Sequence, residues 1–467
     1  MSHDGVRLIW DSKTNQINST ADSISHQLIE LVNPAPASCS DSMLDLVTPS
    51  VRPVSAQPFQ GRIFFGDNLQ TMEYLLQQGY GSRFDLIYID PPYLSSSAYT
   101  SRVKIKDTEE EWQSISRPVF LDPGFKEIDA YLDHIYPRLI MMKELLSQQG
   151  SLFVHLDWHI SHYVKILLDE IFSPQQFINE IVWCYGGGSG TKRHFHRKHD
   201  VILWYGSSSE YIFNPQYRPY TVGTLERGLT KVKGDKYRLH AEGALMQDWW
   251  TDINKILSPT AAENLKFPTQ KPEALLKRII LSASRPGSLV GDFYAGSGTM
   301  ACISQESDRN WIACDNSPIA IQTTLERLIR QNGNPFSLEQ TALPDRESTQ
   351  GSLQIKTPVI QPYTQTSALM LLGLEDYKPL GQHLGHLRGN PGFKSLIDFW
   401  EVDLDYDGHT FCSVLQVLRD KKRYDHNIRD SIKLQVPLQD VYNLAIKVYD
   451  VFGGSQVQSL QIAGIKP

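Results

Sequence analysis

The hydrophobic residues of this chain recur with two periods, and each period predicts one kind of secondary structure. Apolar positions three and four residues apart predict helices within residues 61–79, 131–150, 162–172 and 271–284. Apolar runs of strand length alternate with these helices, at residues 61–65, 84–90, 151–157, 178–187, 199–206, 288–293 and 310–315. Strands and helices that alternate at this spacing predict an α/β fold with a doubly wound, mostly parallel sheet.

The last part of the chain has a different pattern. In residues 397–420 and 441–462, apolar and polar positions alternate with period two around turn signals, which predicts a small antiparallel β domain. The chain therefore divides into an N-terminal extension or linker (1–60), an α/β domain (61–330) with a less regular inserted region (about 186–267), a linker (331–384) and a small β-rich accessory domain (385–467).

The composition excludes several classes of protein. Of the 467 residues, 41% are hydrophobic and 21% are charged, which excludes collagen-like, coiled-coil and wholly disordered chains. The sequence has no apolar run of membrane-spanning length and no secretory signal pattern, so we expect a cytoplasmic protein without a membrane partner. The five cysteines are scattered and form no Cys-x-x-Cys pair, which argues against a disulfide framework and against a zinc site.

The strand at residues 84–90 ends in Asp90-Pro91-Pro92-Tyr93, at the edge of the sheet where parallel folds bind ligands. Methyl transfer to an exocyclic base amine needs two acceptors that hold the amine protons and draw the nitrogen toward tetrahedral geometry. The Asp90 carboxylate and the Pro91 carbonyl can be these acceptors, because the two prolines fix the backbone. Tyr93 offers a flat face on which a flipped base can stack. Taken alone, the tetrapeptide is also compatible with a simple strand-ending turn.

A second motif, Gly291-Asp292-Phe293-Tyr294-Ala295-Gly296-Ser297-Gly298-Thr299, lies between a predicted strand and a predicted helix. Gly296 and Gly298 let the backbone approach a ligand at a helix N-terminus, and Asp315, 19 residues after Gly296, can bind ribose hydroxyls. The motif indicates a nucleoside cofactor, and a dinucleotide would also suit it. The Gly-Lys-Ser/Thr of a phosphate-binding loop is missing, which argues against ATP.

In this order the two motifs resemble the β-class amino DNA methyltransferases, the DNA methylase N-4/N-6 family, in which Asp-Pro-Pro-Tyr precedes a Phe-x-Gly-x-Gly-like loop. The resemblance spans residues 61–330 and includes a Thr-Gln-Lys-Pro segment. It implies the fold of S-adenosylmethionine-dependent methyltransferases, base flipping from double-stranded DNA, and methylation of adenine N6 or cytosine N4. The aspartate of the first motif favours adenine N6. A restriction endonuclease or a defence-system subunit is the further partner that the resemblance suggests.

The resemblance also implies roles for individual residues. The catalytic residues would be Asp90, Pro91, Pro92 and Tyr93. The S-adenosylmethionine site would comprise Asp67 near the cofactor adenine, Thr269, Lys271 and Pro272 at the methionine end, Asp315 at the ribose, and the loop residues Asp292, Tyr294, Gly296, Ser297 and Gly298. Lys271 could pair with the cofactor carboxylate. The chain has Phe293 and Tyr294 where the family usually has Pro and Phe, so the added tyrosine hydroxyl needs a partner.

Local charge changes the impression left by the net charge of −7, which gives no hint of nucleic acid. Residues 191–240 contain ten Lys and Arg against four Asp and Glu, a local charge of +6, with aromatic residues among them and a glycine-rich stretch before them. In the family this position holds the target-recognition region, so we expect DNA phosphate contacts from Lys192, Arg193, Arg197 and Lys198. A solvated loop with some core aromatic residues is the alternative.

Weaker patterns accompany these motifs. His155 and Asp157 end a strand at the same sheet edge as Asp90 and could face a flipped base. Two histidine groups, around residues 155–162 and 194–199, lack zinc-ligand spacing, so we expect no metal. Residues 403–408 match the opening of a calcium loop, but Val414 replaces the required Glu, which favours a strand with one solvated acidic face.

Rival functions stay open at this point. An RNA or a protein amide could replace DNA as the substrate of the same chemistry. The chain could instead be a non-catalytic DNA-binding subunit of a restriction or defence complex. A nicotinamide-dependent enzyme that uses the glycine-rich turn is a third alternative, although it leaves Asp-Pro-Pro-Tyr unexplained.

Overall fold

The structure is a computed structural model that describes residues 6–14, 25–37, 46–47, 60–94, 98–106, 112–121, 127–188, 190, 192–226, 239–258, 260–341, 351–379, 391–420 and 428–465. Within these ranges the helices are α1 (Asn68–Gln77), α2 (Ile128–Leu145), α3 (Ser161–Phe172), α4 (Val222–Glu226), α5 (Glu273–Ala283), α6 (Thr299–Glu306), α7 (Pro318–Gln331) and α8 (Phe393–Leu396). A 3₁₀ turn, Pro174–Gln176, follows α3. None of the described helices is both long and apolar enough to cross a membrane.

The strands in the first half of the chain are β1 (His26–Val32), β2 (Leu46–Val47), β3 (Gly61–Phe65), β4 (Phe84–Ile89), β5 (Ala98–Lys106), β6 (Trp112–Leu121), β7 (Leu146–Leu156), β8 (Phe177–Cys184), β9 (His199–Gly206), β10 (Tyr217–Arg218), β11 (Ala244–Leu245) and β12 (Trp249–Trp250). Those in the second half are β13 (Leu289–Asp292), β14 (Asn310–Asp315), β15 (Phe336–Thr341), β16 (Ser352–Ile355), β17 (Val359–Pro362), β18 (Ser367–Lys378), β19 (Ile397–Asp403), β20 (Phe411–Ser413), β21 (Leu415–Leu418), β22 (Ser431–Pro437), β23 (Val441–Asp450) and β24 (Ser455–Ala463).

An eleven-stranded sheet forms the centre of the molecule, in the order β12-β8-β9-β7-β4-β13-β14-β3-β15-β1-β20. The six strands from β7 to β15 in this order run parallel, whereas β9 is antiparallel to both β7 and β8. Strand β4 explains why these segments read as unbroken apolar runs. Its Leu86 and Tyr88 pack with α5 and α6 on one face, and its Ile87 and Ile89 pack with α1, α2 and α3 on the other. The predicted α/β class with a doubly wound, mostly parallel sheet is confirmed.

The N-terminal sixty residues are not merely a loose extension. In their described part, β1 pairs antiparallel with β15 and parallel with β20, so it joins the central sheet to the C-terminal part of the chain. Trp10 is buried against the helices of the α/β core. The sequence prediction is wrong here because Leu31 and Val32, too few to show a period, are buried by strands distant in sequence.

Residues 331–384, predicted as a linker, contain ordered strands. β15 lies beside β3 in the central sheet, and β18 forms a second sheet with β16, β17, β22 and β2. Strand β18 follows the polar stretch that ends near Thr366, and its Ala368, Met370, Leu372 and Leu374 alternate toward a buried side, a pattern that the linker prediction overlooked. This segment is therefore corrected from linker to sheet, and the domain boundaries at 60, 330 and 384 remain predictions.

Two mainly antiparallel sheets make up the C-terminal part, the β18 sheet, in which only β2 pairs parallel among the described strands, and a second one in the order β21-β19-β23-β24. Their shared core also contains Ile105 and Ile115 from the antiparallel pair β5 and β6, which was not predicted from the sequence. Phe399 and Tyr449 extend into a cluster with Trp311 and Phe336 of the central sheet. The C-terminal sheets and the α/β part are therefore packed together through an apolar contact.

The acidic strand of the C-terminal part corrects another prediction. All seven residues of β19 are buried, including Glu401 and Asp403, because β19 lies between β21 and β23 and is covered on both faces. The carboxylate of Asp403 accepts hydrogen bonds from the backbone N–H groups of Asp405 and Cys412. Asp407 likewise accepts from His409 and Thr410, so these acids order a turn. The predicted solvated acidic face is therefore wrong for Glu401 and Asp403 in β19, whereas Asp405 and Asp407, which follow the strand, are exposed.

Candidate active site

Parallel strands bring four aspartates to one edge of the sheet. Asp90 follows β4, Asp292 and Asp315 end β13 and β14, and Asp67 follows β3. A cavity of about 190 Å³ opens at this edge. Twelve of the fourteen residues predicted as catalytic or cofactor-binding line it, namely Asp67, Asp90, Pro91, Pro92, Tyr93, Thr269, Lys271, Asp292, Tyr294, Gly296, Ser297 and Asp315.

The remaining two, Pro272 and Gly298, have local structural positions outside this lining. Pro272 caps the N-terminus of α5 with extended backbone. Gly298 caps α6 with a φ of 72°, in the left-handed region, and a Cβ there would lie 2.6 Å from the Thr324 side chain. Gly298 is therefore required by the turn and by the close approach of α7.

The glycine-rich loop is tied to the ends of its two flanking strands. The Gly296 N–H donates to Asp315 at 2.8 Å, and the other Asp315 oxygen accepts from the Ser317 N–H at 2.9 Å. Arg327 from α7 donates to the Ser297 carbonyl at 3.1 Å and to the Thr299 hydroxyl at 2.8 Å. The loop is thus held in place by its own contacts, as a preformed binding loop requires.

Buried carboxyl groups face this cavity with raised pKa values. Burial raises the pKa of Asp292 to about 8, although the Tyr294 N–H donates to it at 3.0 Å and lowers the value. The charges of Asp90 and Asp315 add to the effect of burial. Burial also raises the pKa of Asp315. The cavity is therefore lined by carboxyl groups whose ionised forms a cationic ligand would stabilise.

Two residues of α2 that the sequence did not indicate complete this wall. Arg138 donates to Asp67 at 2.7 Å and to the Asn68 side-chain oxygen at 2.5 Å, and Asn68 in turn donates to the Phe293 carbonyl at 2.7 Å. One turn earlier, His134 hydrogen-bonds the Tyr294 hydroxyl at 3.0 Å. The signal for Arg138 was its place on the apolar face of a helix, where a charge needs a buried partner.

His134 supplies the partner that the tyrosine hydroxyl of this chain needs. Burial lowers the pKa of His134 to about 4, and the charge of Arg138 lowers it further. The ring is therefore neutral at physiological pH, and its Nε2 can accept a hydrogen bond from the Tyr294 hydroxyl.

Asp90 has partners on both carboxylate oxygens. Tyr93 donates its hydroxyl to one oxygen, and the Lys271 ammonium group donates to the other. The Lys271 nitrogen also lies 5.3 Å from the centre of the Tyr93 ring. Sequence reasoning placed Lys271 at the methionine end of a cofactor, and the structure places it on Asp90. Its backbone neighbour Thr269 has a φ of 60°, a strained value for a threonine, which marks this segment as constrained by its surroundings.

A second cavity adjoins the first on the far side of Tyr93. Both cavities are lined by Tyr93, Tyr99, Thr269, Gln270 and Lys271. The other residues around the second cavity are mainly aromatic or charged: Asp157, Trp158, Trp183, Tyr185, Arg197, His199, Asp200 and Lys255. The Asp-Pro-Pro-Tyr segment therefore stands between two connected spaces.

A buried hydrogen-bond chain supports this second cavity. The Tyr88 hydroxyl bonds His155 Nδ1 at 2.9 Å, His155 Nε2 bonds Asp200 at 3.3 Å, and the Tyr185 hydroxyl donates to Asp200 at 2.7 Å. His155 lies behind Tyr93, with the rings stacked at 6.4 Å, so it does not face the cavity as the sequence suggested. Asp157 does line the cavity. Asp200 was missed because its partners are 15 and 45 residues away.

The charges along this chain are defined by its surroundings. Burial lowers the pKa of His155 and Lys271 lowers it further, so the imidazole is neutral. Burial alone would raise the Asp200 pKa, but the hydrogen bond from His155 and nearby positive charges outweigh it and hold that pKa well below its usual range. A neutral His155 that donates from Nε2 and accepts from Tyr88 satisfies both neighbours.

The predicted DNA-binding cations lie on the loop that joins β8 to β9, beside the second cavity. Lys192, Arg193 and Arg197 are exposed, and the Arg197 guanidinium lies 3.8 Å from the centre of the Trp158 ring. Lys198 donates to the Gly187 carbonyl across the loop. The more distal cations of the basic segment, Arg227, Lys231, Lys233, Lys236 and Arg238, lie outside the described residues.

No cluster of three or more His, Cys, Asp or Glu side chains suited to a metal ion occurs among the residues whose positions are given above. In each predicted histidine group the described contacts are of another kind. His159, for example, bonds Asp157 at 2.5 Å, and His194 bonds the Phe195 carbonyl at 2.9 Å.

Comparison with known proteins identifies the class. Residues 84–326 match the family described as DNA methylase, and this match covers more than half of the chain. The chain belongs to the DNA methylase family. The resemblance drawn from its two motifs is thereby confirmed, and so are the expectations of a DNA methyltransferase and of S-adenosylmethionine as its methyl donor.

Individual relatives are distant. Type II methyltransferase M.EcaI from Enterobacter cloacae is 26% identical over 354 residues, which cover 60% of this chain and 75% of that protein. DNA adenine methyltransferase YhdJ from Escherichia coli (strain K12) is 25% identical over 268 residues, 57% of this chain and 82% of that protein. Among solved structures, the M1.HpyAVI–SAM complex aligns with a TM-score of 0.37 at 19% identity, over 57% of this chain and 98% of that chain.

Proposed function

We propose that this chain transfers a methyl group to adenine N6 in a specific sequence of double-stranded DNA. The observation that carries the proposal is the position of Asp90-Pro91-Pro92-Tyr93 between two connected cavities. The first is lined by aspartates and by the glycine-rich loop, and the second is lined mainly by aromatic and charged side chains. A methyl donor in the first cavity and a flipped base in the second would meet at Asp90. The aspartate in this motif favours adenine over cytosine, and the similarity to a protein named as a DNA adenine methyltransferase supports that choice.

The first cavity has the donors and acceptors that S-adenosylmethionine requires. Asp315 would bind the ribose hydroxyls, the Gly296 backbone would allow close approach, and the Tyr294 ring would lie against the nucleoside. Burial raises the pKa of Asp292, and the positive charge of the donor would stabilise its ionised carboxylate. When bound, S-adenosylmethionine supplies an electrophilic methyl group on a positively charged sulfur.

Asp90 and the Pro91 carbonyl would accept the two N–H bonds of the target amine and so expose its lone pair. Asp90 would also accept the proton that leaves the nitrogen when the new C–N bond forms. Lys271 holds the Asp90 carboxylate in place before a base arrives, and Tyr93 forms the stacking wall. These roles require that a base displace at least one of the two present partners of Asp90.

The second cavity suits a base rather than an extended peptide. Its walls offer flat aromatic rings, which stack on bases with a gain of about 1–3 kcal/mol each. Tyr185 is fixed by Asp200, and the Lys255 ammonium lies 3.6 Å from the centre of its ring. The exposed cations of the adjoining loop would contact the phosphates on either side of the flipped nucleotide.

The partner and the compartment are proposals of the same kind. M.EcaI is named as a type II methyltransferase, and a protein of Salmonella typhimurium that is 26% identical over half of this chain is named as the Mod subunit of a type III restriction-modification enzyme. We propose that this chain modifies DNA in the cytoplasm and protects it from a restriction endonuclease or another defence-system subunit.

Mass spectrometry of nucleosides tests the proposal directly. DNA lacking methylation is incubated with the protein and S-adenosylmethionine, hydrolysed, and mapped at base resolution. N6-methyladenine within one recurring sequence is expected. N4-methylcytosine would correct the base and keep the mechanism, whereas the absence of any methylated base, with DNA binding intact, would favour a non-catalytic DNA-binding subunit.

The DNA-binding loop has a separate test in the salt dependence of binding. Neutralising Arg193, Arg197 and Lys198 together should weaken binding and flatten the plot of log K against log salt, by about 0.9 for each phosphate contact removed. A matched control neutralises three cations of the C-terminal sheets, Lys356, Lys378 and Lys394, which should leave the slope unchanged. Equal slopes in all three proteins would reject the loop as the DNA contact.

A further inference from the structure

Phe195 has the most exposed large hydrophobic side chain in the described part of the chain, at 98% exposure. It lies in the loop between β8 and β9, among the cations assigned to DNA contact. A fully exposed apolar ring is unfavourable in water, so its position calls for a ligand that covers it. The basic surroundings favour a polyanion with an apolar interior, which is the chemistry of a nucleic-acid duplex.

The loop that carries Phe195 is held in place at its base. The Tyr185 N–H donates to the Lys198 carbonyl at 3.0 Å, and the Gly186 N–H donates to the Asn254 side chain at 2.8 Å. A Cβ added at Gly190 would collide with the His196 ring, so the two sides of the loop are in close contact. Phe195 is therefore presented from a closed loop that has internal contacts.

Phe195 also lies close to the entrance of the second cavity. Arg197, only two residues further, packs on Trp158, and both line that cavity. Two residues span at most about 7 Å of backbone, so the Phe195 Cα lies within about 7 Å of the Arg197 Cα, at the wall of the cavity proposed to receive a base. A base that leaves a duplex opens a gap in the stack, and apolar side chains that insert at base steps hold such distortions open.

We propose that Phe195 is a positioning residue that inserts into the base stack beside the target nucleotide and keeps that nucleotide out of the duplex. This inference rests on the proposed function. The cations on either side of Phe195 hold the phosphates while the ring fills the vacated space. The role concerns a paired target, because a base that is already unpaired needs no wedge to keep it extruded.

The test uses two synthetic duplexes that carry the mapped recognition sequence. In one the target base is paired, and in the other it stands opposite an abasic site. Phe195→Ala should lower kcat/KM for methyl transfer to the paired duplex about tenfold or more, and transfer to the abasic duplex should stay within about twofold of wild type. Phe195→Trp, which keeps a flat ring, should retain most of the activity on both.

A matched control and a physical probe separate the outcomes. Phe213→Ala removes a half-exposed ring that packs on Trp204 beyond the opposite end of β9, and it should behave as wild type. A 2-aminopurine at the target position should brighten with wild-type protein and much less with Phe195→Ala. Equal losses on both duplexes, or no loss on either, would overturn the wedge. Wild-type protein that methylates neither duplex would overturn the proposed function itself, and the wedge with it.

Discussion

Two buried lysine–carboxylate pairs of this protein differ in whether a ligand can reach them. Lys271 and Asp90 in the active-site cleft keep 10% and 17% of their side chains exposed and line the cavities there. Lys447 and Glu30, which join β23 to β1, keep 4% and 0%. The same kind of ion pair thus occurs once where a ligand can reach it and once where it is sealed from solvent.

The sealed pair has further polar neighbours. Glu30 also accepts from the Tyr449 hydroxyl at 2.7 Å, and Glu401 lies beside it and accepts from the Ser413 hydroxyl at 3.1 Å. Burial and the negative charge of Glu30 raise the pKa of Glu401, so Glu401 is protonated. Burial would raise the Glu30 pKa too, but Lys447 outweighs it and lowers that pKa. The junction therefore contains one ion pair and one neutral acid.

From this difference we expect the sealed pair to stabilise the fold and the open pair to take part in the proposed reaction. The sealed pair fixes β1, from the N-terminal segment, against the C-terminal sheet. If one member is removed, the other is left as a buried charge without a partner or water. Removal of one member of the open pair should cost less stability, because solvent or substrate can replace the missing group. Asp90 is held by Lys271 and remains available to a substrate amine.

The largest expected effect is on stability at the sealed pair. Lys447→Met leaves Glu30 buried without its cation and should lower the free energy of unfolding by about 3–5 kcal/mol. Urea unfolding followed by circular dichroism measures it. The double variant Glu30→Gln with Lys447→Met, which removes both charges, should recover much of the loss. A single variant as stable as wild type would show that the junction does not depend on this pair.

The two regions also differ in how far sequence could predict them. Asp90, Asp292 and Asp315 were found because each ends an apolar strand in a contiguous motif, and parallel strand ends meet at one edge. Glu30 and Lys447, 417 residues apart, share no local signal that could pair them. Acidic alternation in β19 predicted a solvated face, because a single strand does not reveal that a second layer covers it.

Within the cleft, the same limit applies to the supporting residues. Arg138 and His134 lie on a helix whose period predicts a buried face, but not which strand end that face meets. Lys271 was recognised from its motif, which did not indicate its ion pair with Asp90, and its pairing with a cofactor carboxylate stays a prediction. Motifs therefore predicted the edge of the site, whereas long-range pairing determined its walls.

The next largest effect is on activity at the open pair. Asp90→Asn keeps the shape of the side chain and removes the charged acceptor, so methyl transfer should fall about 10²–10³-fold. The free energy of unfolding should change by less than about 1 kcal/mol, because water can reach Lys271. Transfer of labelled methyl groups and urea unfolding measure the two quantities.

Asp85→Asn is the matched control for this variant. Asp85 lies at the other end of β4, where Ser147 and Ser288 donate to it at 2.8 and 2.6 Å, away from both cavities. It should leave the rate of methyl transfer nearly unchanged in folded protein. Comparable rates for Asp90→Asn and wild type would remove Asp90 from the proposed mechanism.

The smallest expected effect, when it is compared over a single pH unit, is on the pH dependence of stability. It concerns Asp292, which like Glu401 is a buried acid with a raised pKa but lines an open cavity. Burial raises the pKa of Asp292 to about 8, against about 3.9 in an unfolded chain. Between these values the folded state keeps a proton that the unfolded state has lost, so stability falls as pH rises across this window, by about 1.4 kcal/mol per pH unit from this group. Asp292→Asn should remove that contribution.

Urea unfolding of Asp292→Asn and wild type at pH 5.5, 6.5 and 7.5 isolates the effect of Asp292, because groups such as Asp403 titrate in both proteins. The stability of the variant should fall less steeply with pH, and parallel curves would mean that Asp292 is ionised across this range. Because Asp292 lies in an open cavity, bound S-adenosylmethionine should also flatten the wild-type curve by favouring the charged carboxylate, whereas no ligand can do this for Glu401 in the sealed junction.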